Sequence, residues 1–371
     1  MIISRYLTKE VFNTLLAVTF IILLIFLSNK LVRYLSYAAV GKVAPNIVLQ
    51  LMGFEIPYLL ALLLPLGLYL AILLAYGRLY ADSELRVLHG CGLSVGRLIA
   101  ITSMLALTIT AIVVILTLWV NPWIATQKSK LIAYSLSTDN LLNNLMPGRF
   151  QVSPDGRRVF YVERISRNHK QANNIFIADQ GKNPGPESYS SWTVVSAANG
   201  SHMKDHVTQD RFIVATDGYR YEGVPGQNDF KIIQFKKYAV RMPNTTMVSK
   251  RDEQEAISTA ALWKNYQKPE NASELQWRFS IPISALLLGL LAIPLSQVQP
   301  RHGRYSQLAP AILIYIVYMN MLFVARNWVE QKVLPISLGM WWVHGIVLVL
   351  VLAFVMIQSG WNIKNIRMRL S

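Results

Sequence analysis

Two long apolar segments on either side of a short polar one constrain the fold of this chain more than any other feature. Residues 52–75 contain a single ionisable side chain, Glu55, and residues 98–120 contain none. Each segment is long enough to cross the roughly 30 Å hydrocarbon core of a bilayer as a helix. The 371-residue chain is also 53% hydrophobic, which is too apolar for an ordinary soluble enzyme, so we predict an integral membrane protein.

The charge and the cysteine content exclude several other classes of protein. The formal net charge is +16, but much of it flanks apolar spans, where membrane topology explains it better than nucleic-acid binding does. The single cysteine, Cys91, excludes an internal disulfide and a cysteine-based metal site. The first apolar run, residues 11–27, is too long for a signal-peptide core and lacks a small-residue cleavage site, so we expect no cleavable signal.

The apolar segments predict six membrane spans, three before and three after one large polar insertion. Their approximate bounds are residues 11–37, 52–75, 98–120, 277–298, 308–324 and 338–358. We therefore divide the chain into residues 1–121 with the first three spans, residues 122–276 as the insertion, and residues 277–371 with the last three spans.

The distribution of Lys and Arg in the short flanks predicts the orientation of these spans. Ten of these cations lie on the side of the N-terminus, and three lie in the short loops on the other side. The ten are Arg5, Lys9, Arg78, Arg86, Arg97, Arg301, Arg304, Lys364, Arg367 and Arg369, and the three are Lys42, Arg326 and Lys332. The excess predicts that both termini are cytoplasmic and that the insertion lies outside.

The insertion, residues 122–276, is predicted to be all-β. Short runs rich in β-branched and aromatic residues alternate with turn signals such as Pro154-Asp155-Gly156. Evenly spaced strands of this kind suggest a small sandwich or jelly roll. Residues 250–264 have helical spacing and are expected to lead the chain back to the bilayer. The predicted fold class is an α-helical membrane protein with six transmembrane helices (3+3) and an inserted all-β, jelly-roll-like domain.

The polar segment between the second and third spans, about residues 78–92, predicts a short helix at the cytoplasmic membrane surface. We call this segment the elbow. Asp82 or Ser83 can cap the start of its helix, Glu84 lies in the positive first turn, and two glycines follow that can end it.

One face of the predicted elbow helix is apolar. Leu85 and Leu88 share this face, with Arg86 and His89 turned elsewhere. This pattern suits a coupling helix, a lever along the membrane surface that is offered to a soluble partner. A connector that only joins two spans explains the pattern equally well.

Two cations on the first span are unusual for their position. Lys30 and Arg33 are three residues apart, so they share one helix face. A climb of about 28 Å from Val11 at 1.5 Å per residue places them at the outer boundary of the membrane, where cations oppose the positive-inside bias. Either they snorkel to lipid headgroups, or they bind something anionic in the outer leaflet.

Motifs for nucleotide and metal chemistry are absent from the sequence. It contains no Gly-x4-Gly-Lys-Ser/Thr loop, no His-Glu-x2-His and no paired cysteines. Its serines and histidines form no recognisable nucleophile constellation. We therefore expect no catalytic site and no cofactor, and we expect the energy source to be another subunit.

Four segments resemble those of one transporter family. They are MIISRYL at the N-terminus, IFLSNKLVRYL in the first span, LPLGLYLAILLAYGRLYADSELRVLHGCGLS around the elbow, and IPLSQVQPRHGR after the fourth span. The whole chain thereby resembles the LptF/LptG family of lipopolysaccharide export permeases. The inserted β domain matches more loosely, chiefly at GYRYEG, residues 218–223.

This resemblance implies an ABC transporter subunit in the bacterial inner membrane, with the β domain in the periplasm. It implies a cavity shared with a second, LptG-like permease and an ATP-binding, LptB-like ATPase dimer as a separate subunit. It also implies an LptC-like single-span protein that continues a β-jellyroll bridge for lipopolysaccharide toward the outer membrane. Nucleic acid has no part in such a system.

The resemblance also implies roles for individual residues. Glu84, with Asp82 and Arg86 beside it, resembles the elbow carboxylate that docks in a groove of the ATPase. Lys30 and Arg33 resemble the cations that meet the phosphates of lipid A. The remaining candidates are Phe26 and Tyr315 for the acyl-chain cavity, and Arg220 and Glu222 in the β-domain motif.

Three other interpretations compete with this one. A mechanotransmission-type ABC permease that acts on lipoproteins or periplasmic substrates usually has four spans, whereas this chain is predicted to have six. A membrane sensor requires a signalling domain inside, and only residues 363–371 remain for it. A membrane-embedded enzyme requires ionisable residues buried in its spans, and the predicted spans contain almost none.

Overall fold

The computed structural model describes residues 2–39, 43, 45–135, 147–152, 156–166, 171–181, 191–204, 211–224, 226–241, 250–297 and 308–358. The chain divides into two compact units. The helical unit falls within Met1–Asn29, Gly53–Gln127 and Lys250–Ser371, and the sheet unit falls within Lys30–Met52 and Lys128–Ser249.

Helices account for most of the described chain. They are α1 (Ile2–Ala39), α2 (Val48–Ala81), α3 (Glu84–Gly90), α4 (Val95–Ile115), α5 (Asn121–Ser135), α6 (Lys250–Glu255), α7 (Thr259–Lys264), α8 (Pro269–Leu295), α9 (Leu308–Glu330) and α10 (Trp341–Gln358). A 3-10 turn, Pro45–Ile47, precedes α2, and a π-helical turn, Leu116–Val120, joins α4 to α5.

Five helical segments in the described ranges are long and apolar enough to cross a membrane. They are Ile2–Ala39, Pro45–Ala81, Val95–Ile132, Pro269–Leu295 and Leu308–Glu330. The sixth predicted span corresponds to α10, whose apolar run Trp341–Ile357 is shorter. The predicted flanking cations at positions 42, 301, 304, 364, 367 and 369 lie outside the described residues.

The helices extend beyond several of the predicted boundaries. The helix of the third span passes residue 122, where the insertion was expected to begin, and ends at Ser135. On the return side, residues 250–264 form two short helices rather than one, and α8 begins at Pro269, before residue 277. The predicted boundaries were set at the change from apolar to polar composition. These helices continue past that change as polar helices.

The π-helical turn has a simple chemical cause at Pro122. Proline has no backbone N–H, so the carbonyl of Leu118, four residues earlier, loses its usual helical donor. The Thr259 hydroxyl donates to that carbonyl oxygen at 2.6 Å. The segment that returns from the insertion thereby satisfies a backbone group that the third span leaves open.

Helices α2 and α8 form the centre of the helical unit. In each, 67% of the most apolar stretch is buried, against 17% for α1 and 28% for α9. Helix α8 approaches both α4 and α2 closely, because a Cβ on Gly289 would lie 3.1 Å from Ala106 of α4 and 3.3 Å from Leu68 of α2. The large exposed surface of α1 is therefore available to lipid or to another subunit.

The insertion contains one antiparallel sheet, which confirms the all-β prediction. Its strands are β1 (Gln151–Val152), β2 (Arg158–Ile165), β3 (Gln171–Gln180), β4 (Trp192–Lys204), β5 (Arg211–Gly223) and β6 (Lys231–Arg241). Each strand pairs with the next in sequence, so the described strands form a meander without the Greek-key crossover that a jelly roll contains. Pro154 and Asp155 of the predicted turn lie outside the described residues.

A row of five residues, one on each of five strands, interrupts the alternation of buried and exposed residues. On one side of the row the buried residues of a strand have even numbers, and on the other side they have odd numbers, or the reverse. Register places these residues opposite one another, but the ladder is interrupted at each of them. Two of them, Asn174 and Asp217, have left-handed φ values of 49° and 55°, which Asn and Asp adopt more readily than most residues do. The row, which we call the crease, consists of Glu163, Asn174, Ala198, Asp217 and Lys236.

The crease keeps both halves of the sheet in contact with one core. Along β3, odd-numbered Ile175 and Ile177 are buried on one side of it, and even-numbered Ala172 is buried on the other. The same change of parity occurs on β2, β4, β5 and β6. The sheet therefore folds two halves toward a single apolar interior, which includes Phe160, Val162, Ala172, Ile175, Ile177, Val195, Ala197, Ile213 and Ala215.

Candidate functional site

The elbow is built around α3, whose first residue is Glu84. Ser83 occupies the N-cap position, but its φ is 65° and its side chain makes no capping hydrogen bond, so the predicted cap by Ser83 is wrong. The Glu84 carboxylate instead lies at the positive end of the helix and accepts a hydrogen bond of 2.8 Å from the Tyr6 hydroxyl. The side chain of Glu84 is exposed.

The first helix holds the elbow at a second point. Arg78, in the last turn of α2, forms a salt bridge of 2.9 Å with Glu10 of α1. Tyr6 and Glu10 are four residues apart on α1, so they share one face. This face therefore contacts the elbow at two points, one before α3 and one at its first residue.

The two faces of α3 differ as the sequence predicts. Leu85 is fully buried and Leu88 packs against the core, whereas Asp82 and Arg86 are exposed together with Glu84. The Arg86 guanidinium donates to the Tyr80 carbonyl at 2.9 Å. Asp82, Glu84 and Arg86 are thus the exposed charged residues at the start of the elbow helix, and we call them the charged surface of α3.

His89, which was predicted to lie off the face shared by Leu85 and Leu88, makes contacts of its own at the end of the elbow. It is half-buried and its ring stacks on Tyr80, with the ring centroids 6.4 Å apart. Its Nδ1 lies 2.6 Å from the Leu93 carbonyl oxygen. His89 therefore fixes the end of the elbow rather than contributing to its charged surface.

A cleft of about 610 Å³ opens beside the C-terminal end of the elbow. Its walls are apolar except for Ser4 and Arg97, and the exposed thiol of Cys91 lies on its rim. The lining residues are Ile2, Ile3, Ser4, Cys91, Gly92, Leu93, Arg97 and Ile101. The cleft lies next to the charged surface of α3 and widens the area that a partner can contact.

The two predicted lipid-binding cations lie near the end of α1. Arg33 is exposed and Lys30 is half-buried. A third cation, which the sequence did not indicate, belongs to the same unit: the Lys128 ammonium of α5 lies 5.8 Å from the ring centroid of Tyr34. Tyr34 is four residues after Lys30 on α1, so Lys128 lies over the helix face that carries Lys30.

The two candidates for the acyl-chain cavity occupy different surroundings. Phe26 is 43% exposed on α1. Tyr315 of α9 is half-buried and packs against the helical core. Phe26 therefore lies on a surface that is open to a hydrocarbon chain, whereas Tyr315 is partly used by packing within this chain.

Arg220 and Glu222 lie two residues apart on β5 and form an ion pair. By register Arg220 stands opposite Val195, so its side chain is on the buried face of the sheet. The guanidinium lies over the Tyr238 ring at 5.0 Å, and its Nε has no hydrogen-bond acceptor among the described residues. A half-satisfied arginine on an apolar face can bind an anionic group that enters the interior of the sheet.

Within the described ranges, no three His, Cys, Asp or Glu side chains are grouped so that they could hold a metal ion.

Comparison with known proteins gives a consistent result over nearly the whole chain. The family model for the lipopolysaccharide export system permease LptF/LptG matches residues 5–357. The chain is 30% identical over 367 residues to the lipopolysaccharide export system permease protein LptF of Escherichia coli K12, which covers 99% of this chain and 97% of that protein. The LptF proteins of Escherichia coli O157:H7 and Shigella flexneri match to the same extent.

Proposed function

Because the chain belongs to the LptF/LptG family and is a permease subunit for lipopolysaccharide export, we propose that it extracts the lipid from the inner membrane and passes it to a periplasmic bridge. Its apolar helices and its family make it a multi-pass inner-membrane protein. We place both termini in the cytoplasm and the sheet in the periplasm. The excess of Lys and Arg in the flanks on the side of the N-terminus, ten against three by sequence, supports this orientation.

The energy for extraction is supplied by a separate, LptB-like ATPase dimer. The observation that carries this proposal is the exposed Glu84 carboxylate at the start of α3, which α1 holds through Tyr6. An arginine of the ATPase can form a charge-assisted pair with this carboxylate, with Asp82 and Arg86 beside it. Closure of the ATPase would then move the elbow, and the elbow would move α1, α2 and α4.

The lipid is held at the other end of α1. Lipid A carries phosphate groups near the membrane surface, and Lys30, Arg33 and Lys128 supply three cations in one unit of the protein. Phe26 lies one helical turn before Lys30, in position to contact the acyl chains. A second, LptG-like permease would cover the exposed face of α1 and complete the cavity, since only 17% of the apolar stretch of α1 is buried by this chain.

The sheet passes the lipid to an LptC-like bridge protein through its β6 edge. This edge is long, and Ile232 and Ile233 on it are 57% and 42% exposed, whereas the opposite edge, β1, has two residues. An unpaired edge can add a strand from a partner. Arg220 would meet anionic groups of the lipid in the interior of the sheet.

Reconstitution tests this function directly. The chain, the second permease and the ATPase are placed in liposomes that contain lipopolysaccharide, and transfer to a soluble β-jellyroll acceptor is measured by photo-crosslinking with ATP and with a non-hydrolysable analogue. We expect transfer only with ATP. The alternative, a permease for lipoproteins, predicts instead that an acylated lipoprotein is released with ATP and that lipopolysaccharide is not transferred.

A further inference from the structure

Charged residues are buried where α8 and α9 meet the segment that returns from the insertion. Glu274 and Arg278 of α8 and Arg326 of α9 have side chains that are 4%, 4% and 3% exposed. The predicted spans contain almost no ionisable residues, and Arg326 was predicted to lie in an outside loop. This prediction is wrong: Glu274 lies in the first turns of α8 before the predicted span, Arg278 lies at the start of that span, and α9 extends beyond residue 324 to include Arg326.

Glu274 connects the two arginines. One of its carboxylate oxygens accepts from Arg278 Nε at 2.8 Å, and the other accepts from Arg326 Nη2 at 2.6 Å. Arg326 also donates from Nε to Glu330 at 3.2 Å and lies over the Trp277 ring at 5.0 Å. Both carboxylate oxygens and both guanidinium groups are therefore engaged, and α8 is fixed against α9 in one register.

Arg278 connects α8 to the returning segment. Its Nη2 donates to the carbonyl oxygens of Gln254 and Glu255 at 3.3 and 3.0 Å, at the C-terminal end of α6. Its Nη1 donates to the Thr259 hydroxyl at 3.0 Å. A cation at a helix C-terminus satisfies carbonyl groups that have no partner within the helix.

The returning segment is in turn bound to the third span. The Thr259 hydroxyl donates a hydrogen bond of 2.6 Å to the Leu118 carbonyl oxygen, which has no helical donor because residue 122 is a proline. About two turns further along the same helical segment, the Thr126 hydroxyl donates to the Ala256 carbonyl at 3.0 Å. A continuous chain of hydrogen bonds therefore runs from the third span through Thr259, Arg278 and Glu274 to Arg326 in the fifth span.

Stability alone does not account for such a network. A buried ion pair gains little over well-packed apolar side chains of similar volume, because desolvation offsets the attraction between the charges. What it supplies is one defined arrangement of the elements that it joins. Here these elements are the third span, through which the chain leaves for the insertion, the segment through which it returns, and the two helices that follow.

We propose that Glu274, Arg278 and Arg326 are positioning residues that join the two connections of the insertion to α8 and α9, so that movement of the spans is delivered to the sheet. We call this cluster the joint. It rests on the proposed function in that it assumes ATP-driven transfer to a periplasmic acceptor. The joint serves the transfer step and serves neither lipid capture nor ATP hydrolysis.

The mildest test is Thr259→Val in the complete complex, because it removes one hydroxyl and leaves every charge paired. We expect the amount of lipopolysaccharide transferred per ATP hydrolysed to fall at least threefold. The melting temperature should fall only slightly, because the Leu118 carbonyl and Arg278 each lose one hydrogen bond. The ATPase rate and crosslinking of the lipid to the first span should stay within the error of the wild type. The matched control is Thr108→Val, since the Thr108 hydroxyl is exposed and bonds only to Met104 in its own helix.

A stronger test replaces the joint with apolar side chains in the triple variant Glu274→Leu, Arg278→Met, Arg326→Met, which removes the three buried charges together. Glu330 loses Arg326 but keeps its salt bridge with Arg251 at 3.4 Å. We expect a folded complex that binds lipid and hydrolyses ATP, with transfer per ATP reduced at least tenfold. Normal transfer in this variant or in Thr259→Val overturns the joint. If the triple variant does not fold, Thr259→Val alone decides. If the wild-type complex itself neither captures nor transfers lipopolysaccharide, the proposed function is refuted, whatever the variants show.

Discussion

Tyr6 donates a hydrogen bond of 2.8 Å from its hydroxyl to the carboxylate of Glu84, 78 residues further along the chain. Glu84, the first residue of α3, is thus held by α1 in the absence of any partner. The salt bridge between Glu10 and Arg78 lies on the same face of α1. A force applied to the elbow therefore reaches the helix that is proposed to carry the lipid-binding cations.

Glu84→Ala should weaken binding of the ATPase to the permeases at least tenfold and leave the spans folded. A hydrogen bond to a charged group contributes about 1.5 to 3 kcal/mol, and ~1.4 kcal/mol is a factor of ten in affinity. Binding is measured by titration of the ATPase onto the detergent-purified permeases. The control is Tyr6→Phe, which keeps the carboxylate and should change affinity by less than about threefold. An intact complex that transports normally after the Glu84→Ala change would leave Glu84 only a local role at the helix start.

Cys91 provides a test that needs no substitution, because it is the only cysteine of the chain and it is exposed on the rim of the cleft. If the ATPase covers the elbow and the cleft, it should slow maleimide modification of Cys91 at least tenfold. The rate is followed by mass spectrometry with and without a cysteine-free ATPase. An equal rate in the two samples would place the ATPase elsewhere on the cytoplasmic surface.

Removing Lys30 and Arg33 together should reduce photo-crosslinking of lipopolysaccharide to the first span by more than tenfold, while ATP hydrolysis persists. Two charge-assisted contacts of about 1.5 to 3 kcal/mol each exceed that threshold. Arg33→Lys should restore crosslinking only in part, because a guanidinium can hold a phosphate through two hydrogen bonds and an ammonium acts as a point charge.

Lys128 extends this test to a residue that only the structure indicates. Lys128→Ala should lower crosslinking further, whereas Lys130→Ala, an exposed cation two residues away on α5, should not. Unchanged crosslinking after loss of Lys30 and Arg33 would mean that these two side chains contact headgroups without selecting the lipid.

Gly218→Ala should destabilise the sheet. A Cβ at this position would overlap the carbonyl oxygen of Ser196 and lie 2.8 Å from the Cα of Ala197, and both are backbone atoms that cannot move independently. Forcing an extra carbon into a packed site typically costs about 1 to 3 kcal/mol. Proteolysis of the sheet under native conditions reports the change. Gly345→Ala is the control, since a Cβ there meets nothing within 4 Å, and equal resistance of the two variants would contradict the close approach.

Deletion of residues 148–242 should leave ATP hydrolysis by the complex and stop delivery of lipopolysaccharide to the periplasmic acceptor. The sheet and most of the helices belong to different compact units. We therefore expect the helical unit to keep its apolar core when the sheet is deleted. Hydrolysis and acceptor crosslinking are measured on the same preparation. Delivery at the wild-type rate without the sheet would remove the proposed bridge.

The sequence predicted the elements whose signals are local. Long apolar runs identified the spans, and a carboxylate after a polar turn identified the start of α3. It did not predict Lys128 as part of a cation cluster, because polar residues after Pro122 suggested that the helix had ended. Arg326 was assigned to a loop for a related reason: the end of α9 is charged, and its charges are paired with residues of α8 that are distant in sequence.

The crease was beyond the reach of pattern analysis. A strand is recognised by strict alternation, and on β2 the apolar residues Phe160, Val162 and Ile165 break that alternation at Glu163. Taken alone, each strand looks irregular. Only the registers of neighbouring strands show that the irregularities form one straight row.

The crease also determines which mutations this domain can accept during evolution. A residue lost between Ala197 and Gly200 would move β4 out of step with β3 and β5, and half of its apolar side chains would turn to water. A residue gained or lost at the end of a strand, in a hairpin, leaves the pairing of the strands at the crease unchanged. Insertions and deletions among relatives should therefore accumulate at the hairpins, and the five central positions should keep a constant spacing to their cross-strand neighbours even where the amino acids themselves diverge.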